Sequence, residues 1–135
     1  MQLLRTALFY MAFGQLVFIG AATAHNTTAP PKQVTVALSN FAYAPSEIVL
    51  KANTPITLHL VNNSTKGHNF SAPEFFVEST VAPTDKSKVV DGVIELEGDQ
   101  TVDVIVTPTR AGNYSLECTH FMHAMLGMSG EITVQ

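Results

Sequence analysis

Apolar residues in this chain recur at every second position over several stretches. Val34, Val36 and Leu38 alternate with polar partners, Ile56, Leu58 and Leu60 do the same, Val102, Val104 and Val106 repeat the pattern, and Ile132 and Val134 close the chain. Successive side chains of a strand point to opposite faces, so this period predicts strands with one face in a core and the other in water. Val93, Ile94 and Leu96 add a strand-like run. Between these stretches lie Ala44-Pro45-Ser46, Ala52-Asn53-Thr54-Pro55, Glu97-Gly98-Asp99 and Thr109-Arg110-Ala111-Gly112-Asn113, all rich in turn formers. Many short strands at this spacing predict an all-β fold, a β-sandwich. Residues 71–91 break the rhythm, and Ala72 to Glu78 suit one helical turn or a covering loop, with Pro73 acceptable in a first turn.

The first 24 residues follow another pattern. Arg5 is their one charge, an apolar stretch runs from Ala7 to Ala22 broken by Gly14 and Gln15, and Ala22-Thr23-Ala24 follows. A basic start, an apolar centre and a small-x-small end predict a secretory signal peptide over residues 1–24, cleaved after Ala24. A membrane anchor is the competing reading, because the stretch is nearly long enough to span a bilayer; Gln15 and the cleavage pattern favour the signal. The mature chain is then 111 of the 135 residues: a flexible leader over 25–32, rich in Asn, Thr, Ala and Pro, and one domain over 33–135. No membrane span is expected after cleavage. Losing Arg5 makes the chain more acidic by one than its formal net charge of −4, and no basic cluster is present, so nucleic acid is not an expected partner.

Export to an oxidising compartment, the periplasm, makes a single cysteine notable. Cys118 has no partner for a disulfide within the chain, which leaves a free thiol, an intermolecular bridge or a metal ligand. Its neighbourhood favours the last. The run from Cys118 to Met128 holds two of the five histidines, His120 and His123, and three of the five methionines, Met122, Met125 and Met128. Thiolate, imidazole and thioether are soft ligands that favour copper, and one Cys, two His and a weak axial Met make an electron-transfer copper site. A second histidine must then come from outside the run, and the candidates are His25, His59 and His68. His59 lies inside a strand, in phase with Thr57 and Val61 and not with the core residues, which predicts a half-exposed strand histidine. His68 follows the strand from Ile56 to Val61, in an irregular segment that can turn its side chain toward a neighbouring loop.

The pair Gly67-His68-Asn69 with Cys118-x4-His123-x4-Met128 resembles the cupredoxins, small blue-copper proteins with a Greek-key β-sandwich, and the resemblance covers Val34 to Val134. The Asn62-Asn63 approach is similar to plastocyanin, Gly-His-Asn to azurin, and the Cys-x4-His-x4-Met spacing to rusticyanin and the auracyanins. Gly112-Asn113-Tyr114-Ser115-Leu116-Glu117-Cys118 is similar to the Gly-x-Tyr strand that delivers the family's cysteine. The resemblance implies one copper ion cycling between Cu(I) and Cu(II), with His68, Cys118 and His123 as the trigonal set and Met128, after Gly127, as the long axial ligand. It implies that Asn69 ties the two ligand loops together and donates a backbone hydrogen bond toward the Cys118 sulfur, and that the Gly67 carbonyl approaches the copper from the other axial side. The chain departs from the family where Phe121-Met122 replaces a Pro-Gly pair and where His120 follows Cys118 by two residues. His120 can displace His123, bind a second copper or point to solvent, and the last is favoured; Met125 competes with Met128 for the axial place. His25, if exposed as the first residue by cleavage, can chelate Cu(II) with its amine and ring.

By the same resemblance the ring edge of His123 reaches the surface through an apolar patch, here Phe121, Met122, Ala124, Met125 and Leu126, where a redox partner docks transiently. The expected function is single-electron transfer by a monomer without enzymatic turnover, since a four-ligand site leaves no open position for substrate. Copper tolerance, by sequestering copper or delivering it to a copper-handling partner, is the alternative. An exported structural sandwich with an incidental cysteine is the bland one.

Overall fold

The alternating stretches form strands, and the turn-rich ones join them. The computed structural model describes residues 29–120 and 126–135. In chain order these hold β1 (Lys32–Ser39), β2 (Ala42–Ala44), β3 (Glu47–Leu50), β4 (Ile56–Asn62), β5 (His68–Ser71), the one-turn helix α1 (Pro73–Val77), β6 (Ser79–Val81), β7 (Val93–Leu96), β8 (Thr101–Pro108), β9 (Gly112–Glu117) and β10 (Ser129–Val134). The strands lie in two five-stranded sheets, ordered β2-β1-β4-β8-β6 and β3-β10-β9-β5-β7. β1 runs parallel to β4 and β3 parallel to β10; the other pairs are antiparallel. The expected all-β sandwich is therefore the architecture observed.

The inward phase of each alternation meets in one core. Val36 and Leu38 of β1, Leu58 and Leu60 of β4, and Val104 and Val106 of β8 are buried, as are Ile94, Leu116 and Ile132 of the other sheet. Each such side chain contributes about 1.5–3 kcal/mol on leaving water. The polar phase faces out, and His59 is half-buried there, paired across the ladder with Asp103. β1 opens at Lys32, at the end of the expected leader.

The stretch without a period is a plug. α1 starts at Pro73 and buries Phe75 and Phe76. Phe75 meets Tyr114 edge to face at 5.9 Å, and Phe76 meets Phe70 at 6.3 Å. Gly92 closes the stretch with φ of 77°, and a Cβ there would lie 2.3 Å from the Pro73 Cα, so only glycine lets β7 start against the helix.

Asp85 anchors the rest of this stretch to β8. One carboxylate oxygen accepts from Lys88 Nζ at 2.8 Å and the other from the Ile105 backbone N–H at 2.9 Å. The Lys88 bond first, then the Ile105 bond, holds the carboxyl below its ordinary value. A lowered folded pKa adds stability that is fully present above the unfolded value of about 4 and is lost as pH falls through the folded one. Asp85→Asn should therefore be less stable than the wild type at pH 7, with the gap narrowing at pH 3. Denaturant midpoints of both proteins at the two pH values check this; a constant gap would refute it.

Candidate metal centre

Three of the expected ligands gather at one end of the second sheet because of how its strands pair. His68 is the first residue of β5, Cys118 follows the last residue of β9, and Met128 precedes β10. β5 and β10 flank β9, with Ser71 and Ser129 both in register with Glu117. The Cys118 N–H donates to the Met128 carbonyl at 3.1 Å, which fixes the two chain segments side by side. His68, Cys118 and Met128 are each 0–1% exposed.

His68 does not sit in an irregular segment, as its sequence context suggests. All four residues of β5 are buried, and a strand covered on both faces shows no alternation. The irregular part is the preceding loop, organised by the buried Asn62 at the end of β4. Its side-chain N–H groups donate to the carbonyls of Lys66 and Glu97, both at 2.8 Å, and its oxygen accepts from the Ser64 N–H at 3.0 Å. These bonds aim the chain into β5.

The Cys118 sulfur lies 3.9 Å from His68 Nδ1 and accepts from the Asn69 N–H at 3.5 Å. Two ligands bonded at about 2.0–2.3 Å to one ion stand about 3.5–4 Å apart, so thiol and imidazole are spaced to share one. The donors are soft and buried, and Cys118 and Met128 both belong to the hydrophobic core, which suits copper and not a hard cation. Asn69 also joins the two segments through its side chain: its oxygen accepts from the Thr119 N–H at 2.9 Å, and its nitrogen donates to Thr119 Oγ1 at 2.7 Å and to Glu95 Oε1 at 2.8 Å. The buried Tyr43 hydroxyl donates to the Asn69 carbonyl at 2.6 Å. Burial, followed by the neighbouring Cys118 and Glu117, pushes the Tyr43 pKa upward, so the hydroxyl keeps its proton and stays a donor.

His120 is half-buried, with Nε2 2.9 Å from Glu95 Oε2 and its ring stacked 6.5 Å from that of His68. A Cβ on Gly67 would come 3.3 Å from His120 Cε1, so the ring packs against the bare glycine. Gly127, with φ of 98°, turns the chain into Met128. Leu126 is 52% exposed, and Phe41, which sequence reading passed over, is 41% exposed with its carbonyl 4.0 Å from where a Gly127 Cβ would stand. His123, Phe121, Met122, Ala124 and Met125 lie outside the described residues, as do residues 1–24 and His25. Among the described residues no helix is long and apolar enough to cross a membrane, and no three His, Cys, Asp or Glu side chains converge. Glu95, Thr119 and Tyr43 are not legible as site residues, because strand pairing brings the first two to Asn69 and the packing of one sheet on the other brings Tyr43.

A comparison with curated proteins finds none that matches. Similar solved structures include reduced auracyanin from the photosynthetic bacterium Roseiflexus castenholzii, 18% identical over 79% of this chain and 99% of that one, with a TM-score of 0.58. Auracyanin B is 22% identical over 80% of this chain and 91% of its own, with a TM-score of 0.57. Auracyanin A, a blue copper protein from Chloroflexus aurantiacus, is 21% identical over 76% and 99%, with a TM-score of 0.53. At these identities the likeness concerns the fold. The model of the cupredoxin-like domain matches residues 9–92, more than half of the sequence, and the chain therefore belongs to the cupredoxin-like family.

Proposed function

We propose that this protein is a periplasmic electron carrier holding one copper ion between His68, Cys118, His123 and Met128. The observation that carries the reading is the buried, 3.9 Å approach of the Cys118 sulfur to His68 Nδ1, with the Asn69 N–H directed at the sulfur. Bound copper supplies a one-electron couple between Cu(I) and Cu(II). The protein's part is to hold donors that suit both states. His68 opens β5 and Cys118 directly follows β9, which pairs with it, and the Asn69 and Thr119 bonds lock the segments together, so little rearrangement accompanies a change of charge. The Asn69 N–H moderates the electron density on the sulfur, and the enclosing core excludes water from it.

Exposed Phe41 and Leu126 beside the Gly127 turn support an apolar docking surface at this end of the sandwich. The acidic chain steers a basic partner, and a transient encounter suits rapid exchange. The unusual density of His and Met between residues 118 and 128 supports a second reading, copper sequestration or delivery. Titrating the mature apoprotein with Cu(II) and then Cu(I) separates the two. One equivalent with an intense thiolate band and reversible reduction is expected for a carrier. Additional Cu(I) equivalents would favour handling, absence of the band would overturn the carrier, and absence of any copper uptake would overturn both. Met128→Leu should keep most of the band and shift the reduction potential; the same shift from Met125→Leu instead would transfer the axial role to Met125.

A further inference from the structure

We propose that Glu95 is a positioning residue that decides which histidine of the 118–128 segment completes the site with His68 and Cys118; the proposal rests on the copper reading above. The chain offers an imidazole two residues after the thiolate and another five residues after it, and the nearer one has the shorter path to a shared ion. Something must keep His120 outside. β7 places Glu95 in register with Asn69, and the carboxylate uses both of its oxygens there. Oε1 accepts from the Asn69 side-chain N–H at 2.8 Å, and Oε2 stands 2.9 Å from His120 Nε2.

A single exposed carboxylate–imidazole contact is a weak restraint, and the Glu95 side chain is 62% exposed. Here it is one end of a clasp. Asn69 holds Thr119 from both sides, through Thr119 N–H to Asn69 Oδ1 and Asn69 Nδ2 to Thr119 Oγ1, so the backbone entering His120 is fixed before Glu95 takes the ring. The ring then rests on the outer side of His68, at an interplanar angle of 26°, in the space that Gly67 leaves open. Glu95 thus acts on the site through Asn69 and His120. Released, His120 can add a strong nitrogen donor, which changes a trigonal thiolate site toward a tetragonal one.

The test compares wild type, Glu95→Ala, Glu95→Gln and the double variant Glu95→Ala/His120→Ala, each as the full mature chain loaded with Cu(II). Glu95→Ala is expected to lose the wild-type shape of the thiolate absorption band and of the electron paramagnetic spectrum. Glu95→Gln, whose amide still accepts from Asn69 and reaches His120, is expected to retain them. The double variant is expected to regain them, a recovery that a merely structural role of Glu95 would not produce. In the copper-free protein, Glu95→Ala should speed exchange of the Asn69 side-chain amide protons and move the His120 ring resonances. A Glu95→Ala spectrum equal to wild type, a double variant that stays altered, or unchanged resonances without copper would each overturn the proposal. A wild type lacking the thiolate band would instead overturn the copper reading, and the proposal with it.

Discussion

Replacing Cys118 by serine is expected to abolish the thiolate-to-copper absorption of the oxidised protein completely. The thiolate is the ligand whose charge transfer gives the band, and a serine hydroxyl at the same place neither ionises near neutral pH nor binds copper comparably. Cys118 is fully buried, and its sulfur accepts from the Asn69 N–H, so the serine also brings a hydroxyl into an apolar enclosure. That costs about 1–3 kcal/mol where its hydrogen bonds are incomplete. The measurement is therefore a visible spectrum of Cu(II)-loaded protein taken well below the variant's unfolding midpoint. A band that survives in folded protein would remove Cys118 from the copper site.

Phe70→Ala should cost about 3–5 kcal/mol, a large share of the stability of a small domain. Phe70 is 0% exposed on β5 and stands edge to face with Tyr43 at 6.1 Å and Phe76 at 6.3 Å, so no neighbour is placed to refill the space without leaving its own contact. The substitution also reaches the metal centre. Tyr43 is held by Phe70 on one side and donates to the Asn69 carbonyl on the other, and Asn69 adjoins His68. Denaturant titration of apoprotein checks the cost, and a loss under about 1 kcal/mol would refute the packing described. Copper-loaded Phe70→Ala should show a broadened thiolate band if the core and the site are coupled in this way.

The most legible strands are those with a full period-two run, while β7 and β10 show it only through shorter apolar runs. β1, β4 and β8, each of seven or eight residues, repeat the alternation often enough to exceed chance. β2, β3 and β6 hold three or four residues, too few to repeat it, and β5 is buried throughout and has no polar phase to mark it. The same difference divides the site. Cys118 and Met128 stood out by residue type and spacing, and His68 by its Gly-His-Asn setting. Asn62, Glu95, Thr119 and Tyr43 are ordinary polar residues whose roles depend on hydrogen-bond partners 4 to 50 positions away.

His120 shows where such reasoning stops. Its place two residues after Cys118 is plain in the sequence and favours an outward direction. Its actual setting, half-buried between Glu95 and the His68 ring, depends on β7 lying beside β5. By itself the sequence determined a β-sandwich, because the alternation of side chains is a local property of extended backbone, and a soft-ligand loop, because ligand chemistry is carried by residue type. Tertiary structure alone decided which atoms meet: β9 lies between β5 and β10, and so brings Cys118, His68 and Met128 to one sheet end. Hydrogen-bond register between distant strands chose Asn69 and Glu95 as their supports. Register is set by the burial of whole sheet faces against each other, a collective term that no short stretch of sequence contains.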